Sequence, residues 1–324
     1  MSKRVREKMS LELGIQDIPL EIITIEMGKH LNVIDKFLFS WTCRRLRVIC
    51  NQKLLKRHIL KVVISTESSK NGHLNVLIWF REVVRFDLKY NIIGKMAALY
   101  GFIEMLKWAH FHGCPLDPEM CNEAAEGGHL DVLQWLRTND CRWSAYTCRV
   151  AARGKNPEIL KWMREAGCQW SEETCAALAA KGNLPMLKWA RLNNCPWDKW
   201  TCTFAADGGH LDVLQWARDN ECPWDASTCT FAASSGHIEL LKWARAAGCP
   251  WNPTTVCQFA ARNGDIEILQ WVRENGCSWD KSTCLIAIRG GRLNAFKWLR
   301  ENGCPCDEQA CLDALEDYRD FSIS

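Results

Sequence analysis

Nineteen cysteines and 17 tryptophans in 324 residues are the side chains most able to do chemistry. Cysteine beside histidine suggests zinc, but zinc sites gather C-x2-4-C pairs around one ion. The pairs here are C-x6-C and evenly spread. Cys114, Cys141, Cys168, Cys195, Cys222, Cys249, Cys277 and Cys304 form one series, and Cys121, Cys148, Cys175, Cys202, Cys229, Cys257, Cys284 and Cys311 the other. A nucleophilic thiol needs surroundings unlike those of its fellows, and these cysteines are alike. Three readings stay open: thiols packing as small hydrophobes, disulfides, and metal. Packing is preferred, because the N-terminus lacks the apolar run of a secretory signal and a chain this long needs no staples. No P-loop, G-x-S-x-G, H-E-x-x-H or G-x-G-x-x-G occurs. No catalytic residue, metal or cofactor is therefore expected, and the chain is not expected to be an enzyme.

The tryptophans invite a second chemistry. Trp143, Trp170, Trp197, Trp224, Trp251 and Trp279 stand in short loops, several as P-W-[DN], and from Trp135 onward an arginine follows each helical tryptophan by two residues: Arg137, Arg164, Arg191, Arg218, Arg245, Arg273 and Arg300. Aromatic ladders with interleaved cations stack nucleic-acid bases. Here acids such as Asp131, Asp212, Glu239, Glu267 and Glu274 offset the arginines, and Lys+Arg 41 against Asp+Glu 38 leaves a formal charge of only +3. A solvated, salt-bridged face with arginine stems over tryptophan edges is the preferred reading, and no nucleic-acid partner is expected.

The elements that position these residues are repeats. Trp108, Trp135, Trp162, Trp189, Trp216, Trp243, Trp271 and Trp298 are 27 residues apart, except for a gap of 28 between Trp243 and Trp271, and Trp79 adds a looser unit. Both cysteine series keep this beat, so 16 of the 19 cysteines are repeat positions. Each unit reads as helix, tight turn, helix, loop. In the unit from Ser227, Thr228 can start a first helix carrying Cys229, Phe231, Ala232 and Ala233, and Gly236 breaks it. A second helix follows, with Glu239 in its first turn and Ile238, Leu241, Trp243 and Ala244 at helical spacing. Gly248 ends it and Pro250 prevents resumption. So short a unit must stack on its neighbours to bury its apolar face.

These residues resemble the ankyrin repeat. The family pattern T-P-L-H-x-A-A-x-x-G-H-L-E-V-V-K-L-L-L-x-x-G-A-D-V-N maps onto residues 227–252, most clearly at Gly236-His237-Ile238-Glu239 and Gly248-Cys249, and again at Gly128-His129-Leu130-Asp131 and Gly209-His210-Leu211-Asp212. The period is 27 against about 33 in the family, and the missing residues fall where the family forms its projecting β-hairpin finger. The resemblance implies an all-α chain, an α-solenoid of stacked ankyrin-type helix-turn-helix repeats, with a structural histidine at each turn and almost no fingers.

Without fingers, recognition moves to the first helices. Five residues past the second cysteine stand Glu126, Arg153, Ala180, Asp207, Ser234, Arg262 and Arg289, whereas the position two places earlier is Ala or Leu throughout. Just before that cysteine the residues also vary, among them Tyr146, Glu173 and Trp200. Variation inside a fixed frame is what a partner-binding surface shows, and Glu126, Tyr146, Arg153, Glu173, Trp200, Asp207, Ser234, Arg262 and Arg289 are its candidates; tolerant solvent positions would vary as well.

Residues 1–55 lack the repeat. They read I-P-L-E-I-I-T-I-E-M-G-K-H-L-N-V-I-D-K-F-L-F-S-W-T-C-R-R-L-R from Ile18, which resembles the F-box at Ile18, Pro19, Glu21, Ile22, Ile23, Leu31, Asp35, Leu38, Cys43, Arg44 and Leu46. The resemblance implies a small N-terminal helical segment that docks on a Skp-type adaptor of a cullin-RING ubiquitin ligase, through Pro19, Glu21, Ile22, Ile23, Leu31 and Leu38, while the repeats select the protein to be ubiquitinated. The alternative is a plain helical cap on the first repeat of a binding scaffold with no ubiquitin link. Residues 56–324 would be the repeat array, about nine units closed by a C-terminal half-repeat made polar by Asp313, Glu316, Asp317 and Asp320. Finger-poor arrays behind an F-box look like those of large DNA viruses and some protists. With no apolar stretch of membrane-spanning length, the expected address is intracellular, cytoplasmic or nuclear, and the host cytoplasm for a viral source; a monomer without membrane contact is expected.

Overall fold

The computed structural model describes residues 65–66, 68–82 and 90–323. These residues fall into two compact units, one comprising those up to Trp143 together with Gly154–Ile159, the other Ser144–Arg153 together with those from Leu160 onward. The first unit holds helices Leu74–Glu82, Tyr90–Tyr100, Ile103–Phe111, Pro118–Gly127 and Leu130–Thr138. In the second unit the first helices are Ala145–Arg153, Glu172–Ala180, Lys199–Asp207, Ala226–Ser234, Pro253–Asn263, Lys281–Arg289 and the longer Glu308–Ile323. Second helices alternate with them: Leu184–Leu192, Leu211–Asp219, Ile238–Ala246, Ile266–Glu274 and Leu293–Glu301. Ile159–Glu165 contains the boundary between the units. Helix, turn, helix and loop recur as expected, and no strand occurs among the described residues, so the loops between repeats carry no β-hairpin finger.

Residue size sets the stacking. Within the second unit each first helix packs against the next first helix, and those from Glu172–Ala180 to Lys281–Arg289 also pack against their own second helices. The contact faces of first helices are small: Ala205, Ala206, Ala232, Ala233, Ala260 and Ala261 are fully buried. Second helices bury Leu214, Leu240, Leu241, Leu269 and Val272 and keep their tryptophans half-buried. Leu240 joins the core beyond the four residues expected there, and Ile238 and Trp243 contribute only partly.

The loop motif P-W-[DN] supplies the helix starts. Asp225 accepts a hydrogen bond from the Ser227 amide at 2.9 Å, and Asp198 does the same for Trp200 at 3.0 Å. Asp280 takes the amides of both Ser282 and Thr283 at 3.0 Å. Its carboxyl is held below the usual carboxylate range, first by the Ser282 side chain and then by Thr283. The helix expected to start at Thr228 therefore starts at Ala226, with Asp225 as cap and Thr228 buried in the first turn. The extra residue of the 28-residue unit is taken up in Pro253–Asn263, 11 residues long against nine in Ala226–Ser234.

Several turns between helices need a glycine at a close approach. Gly209 has φ +73°, and a Cβ there would lie 2.6 Å from the His237 ring of the next repeat. That ring donates from Nε2 to the Asp207 carbonyl at 3.1 Å, and His210 donates likewise to the Ala180 carbonyl at 3.2 Å. The histidines are thus struts between neighbouring repeats, as the resemblance implies.

The second helices end in a left-handed residue. Gly113, Gly167, Gly248, Gly276 and Gly303 supply it in five repeats, but Asp140 (φ 59°), Asn194 (φ 62°) and Glu221 (φ 63°) stand in the same place. A side chain there meets open space, since nothing lies within 4 Å of a Cβ built on Gly248, Gly276 or Gly303. Only the backbone is strained. Glu221→Gly is therefore expected to raise unfolding free energy by about 0.5–1 kcal/mol in urea titration; a loss of stability would contradict this reading.

Candidate functional site

The arginines and loop tryptophans are occupied with each other. Arg191, Arg218, Arg245 and Arg273 lie over the rings of Trp197, Trp224, Trp251 and Trp279 at 4.1, 4.2, 4.6 and 4.4 Å from the centroids. The same guanidinium groups donate to the carbonyls of Cys195, Cys222, Cys249 and Cys277. Each loop tryptophan then meets the helical tryptophan of the following repeat edge-on or tilted: Trp170–Trp189, Trp197–Trp216 and Trp251–Trp271 at 5.7 Å, Trp224–Trp243 at 6.1 Å. Such pairs contribute about 0.5–1.5 kcal/mol each beyond area burial. The result corrects the expected salt-bridged face. Among the described residues, Arg300 alone of this series pairs with an acid, Glu308 at 3.8 Å; the others are held by rings and carbonyls. The guanidinium-covered face of each of these loop tryptophans is closed to base stacking.

The two cysteine series meet inside each repeat. The sulfur closing a second helix reaches back to the start of the first: Cys222 donates to the Asp198 carbonyl at 3.4 Å, Cys249 to Asp225 at 3.5 Å, Cys141 to Asp117 at 3.3 Å. It also lies against the cysteine of that first helix, with Cys121–Cys141 at 3.4 Å and Cys148–Cys168 at 2.9 Å. These thiols are at most 2% exposed. Cys148, Cys175, Cys202 and Cys229 are pushed far above the ordinary thiol range, first by the hydrogen bond with the partner thiol and then by burial. Burial first, and then the nearby Asp117 carboxylate, push Cys114 up to about 11. Protonated at neutral pH, these raised thiols are poor nucleophiles and poor ligands, whereas the hydrogen bond with the first-helix thiol lowers Cys141, Cys249 and Cys304; the described residues contain no group of three metal-ligating side chains. Fifteen described cysteines are free thiols, in line with packing, but Cys257 and Cys277 form a disulfide, which corrects that reading for one repeat.

The open chemistry lies on the exposed side of the first helices. Arg149, Arg153, Glu173, Ala176, Trp200 and Phe204 line a groove of about 370 Å³, with Glu172, Ala177, Ala180 and Asp198 completing it. Trp200 is 40% exposed, stacks on Phe204 at 5.6 Å and meets Phe231 edge-on at 6.4 Å. Arg149 pairs with Glu173 at 3.5 Å and lies over Tyr146 at 4.9 Å. Arg153 has no ion pair among the described residues. A second groove of about 380 Å³ is lined by Gln258, Phe259, Arg262, Ile286, Arg289 and Gly290.

The nine candidate residues thus separate. Arg153, Glu173 and Trp200 come together in the first groove, with Tyr146 beside it, and Arg262 and Arg289 in the second. Asp207 and Ser234 lie in neither: Asp207 accepts from Ser235 Oγ at 2.7 Å, and Ser234 donates to the Phe231 carbonyl of its own helix at 3.0 Å. Glu126 is exposed at the end of Pro118–Gly127 in the other unit. Pro19, Glu21, Ile22, Ile23, Leu31 and Leu38 lie outside the described residues. Phe204, Phe259 and Ile286 were missed in the sequence. A large apolar residue recurs two places past the second cysteine in four consecutive units, and such recurrence reads as core although these side chains are only half-buried. Thiol titration in denaturant is expected to give two fewer free thiols without reductant than with it, the difference mapping to Cys257 and Cys277; 19 free thiols without reductant would contradict the disulfide.

With this geometry in view, residues 229–273 match the family model described as ankyrin repeats (many copies). No curated protein matches the chain. The same helix pair extends to both sides of the matched stretch within its unit, and the fold is an ankyrin-type α-solenoid, a protein–protein interaction scaffold.

Proposed function

We propose that the exposed side of the first helices is the partner-binding surface, and that the chain recruits its bound protein to a cullin-RING ubiquitin ligase. The observation that carries the first part is the contrast between the two sides of a repeat. The tryptophans and arginines between repeats, and the paired thiols within each repeat, satisfy one another, whereas Arg153, Trp200, Arg262 and Arg289 stand exposed around two grooves. Aromatic and arginine side chains at the edge of apolar pockets are the composition of binding hot spots. In this reading the chain catalyses nothing.

The ligase part rests on the F-box-like Pro19, Glu21, Ile22, Ile23, Leu31 and Leu38, which would present apolar side chains to a Skp-type adaptor. The alternative keeps the scaffold and makes the N-terminal segment a cap. A pull-down with recombinant adaptor separates them. The full chain is expected to retain adaptor, and Ile22→Ala/Ile23→Ala to lose it with the repeats' helical signal unchanged; failure of the unsubstituted chain to bind would remove the ligase reading. Affinity purification with mass spectrometry would then show cullin beside the bound protein. Trp200→Ala is expected to weaken capture of that protein at least about tenfold, and unchanged capture would move the binding surface elsewhere.

A further inference from the structure

Arg262 and Arg289 stand at equivalent places on adjacent first helices, Pro253–Asn263 and Lys281–Arg289, and both are exposed. Neither makes an ion pair or side-chain hydrogen bond with a described residue. The acids nearby are engaged elsewhere or out of reach. Asp280 caps its own helix, Asp313 accepts from Gln309 at 2.8 Å, Glu308 pairs with Arg300, and Glu316, one repeat further along, forms no ion pair with Arg289. The fold does not require arginine here, since the same position is Ala180 and Ser234 in other repeats. Phe259 and Ile286, half-buried, line the same groove as the two arginines. Gln258 is tied down, donating to Ser282 Oγ at 3.0 Å, so it does not neutralise the pair.

We infer that this groove takes an acidic, apolar-anchored peptide segment of a protein partner: one apolar side chain seated on Phe259 and Ile286, and a neighbouring Asp or Glu carboxylate held by Arg262 and Arg289. Charge complementarity selects this occupant. Two guanidinium groups lining one groove without an acidic partner become favourable once a carboxylate accepts from them. The floor is apolar, so an acid without an apolar neighbour would leave it unfilled. The groove that contains Trp200 has acidic Glu172, Glu173 and Asp198 on its walls and does not share this preference.

This inference rests on the proposal that the first-helix side binds protein, and one experiment distinguishes the two. The full chain is panned against a displayed library of random 12-residue peptides, and the dominant peptide is synthesised and titrated by fluorescence anisotropy. The inference expects selected peptides enriched in Asp or Glu within two residues of an apolar side chain. It expects binding at least about tenfold weaker to Arg262→Glu/Arg289→Glu and within about threefold of normal to Arg262→Lys/Arg289→Lys. Both positions are exposed, and an unchanged melting curve for each variant verifies that the fold is kept. Selected peptides without acidic enrichment, or unaffected by the charge reversal, would overturn the acidic-segment inference and leave the scaffold reading standing. A pool that yields no binder would overturn both.

Discussion

A pair of nine-residue helices cannot bury its own apolar face, and the rest of the structure follows from how neighbouring repeats solve that problem. The unit has lost the residues that would form a finger, so stacking must be achieved by the helices and a short loop. Alanines let consecutive first helices approach closely. The loop tryptophan, clamped by the arginine of its own repeat, reaches the helical tryptophan of the next. Histidine struts fix the turns and paired thiols close each repeat on itself. Each device spans only neighbouring segments, as a quasi-one-dimensional fold requires.

The same division assigns the residues that look reactive. Cysteine, tryptophan, arginine and histidine are the usual materials of metal centres, base-stacking platforms and acid–base catalysis. Here the partner thiol and burial raise the first-helix thiols, guanidinium groups lie over the loop indoles, and backbone carbonyls accept hydrogen bonds from the turn histidines. The residues that line the two grooves are on the first helices, where side chains differ from one repeat to the next around a constant frame. A scaffold of this type can change partner by exchanging those positions without disturbing its stack.

Much of this was legible in the sequence because a period repeated eight times leaves little freedom. Spacing gave the helix pairs, the glycine turns, the absent fingers and the exposed register on the first helices. Helix starts were less legible. Thr228 looks like a cap, yet Asp225, read as the tail of a P-W-D loop, does that work. The arginine–tryptophan rungs were visible as two series but not as partners, since the arginine at Trp+2 and the loop tryptophan six residues further meet only through the turn between them. Phe204, Phe259 and Ile286 show the converse limit: periodicity identifies an apolar position but not whether the next repeat covers it. Cys257 and Cys277 obey the same spacing as every free pair, so nothing in the pattern marks them for a disulfide.

The central claim is that the tryptophans between repeats hold the array and those on the first helices do not. The most direct measurement is the unfolding free energy of Trp224→Ala beside that of Trp200→Ala in urea. Trp224 lies between Arg218 and Trp243, and its loss is expected to lower stability by about 2–4 kcal/mol. Trp200 is 40% exposed, and its loss is expected to lower stability by less than about 1 kcal/mol. Equal losses, or a larger loss at Trp200, would contradict the account.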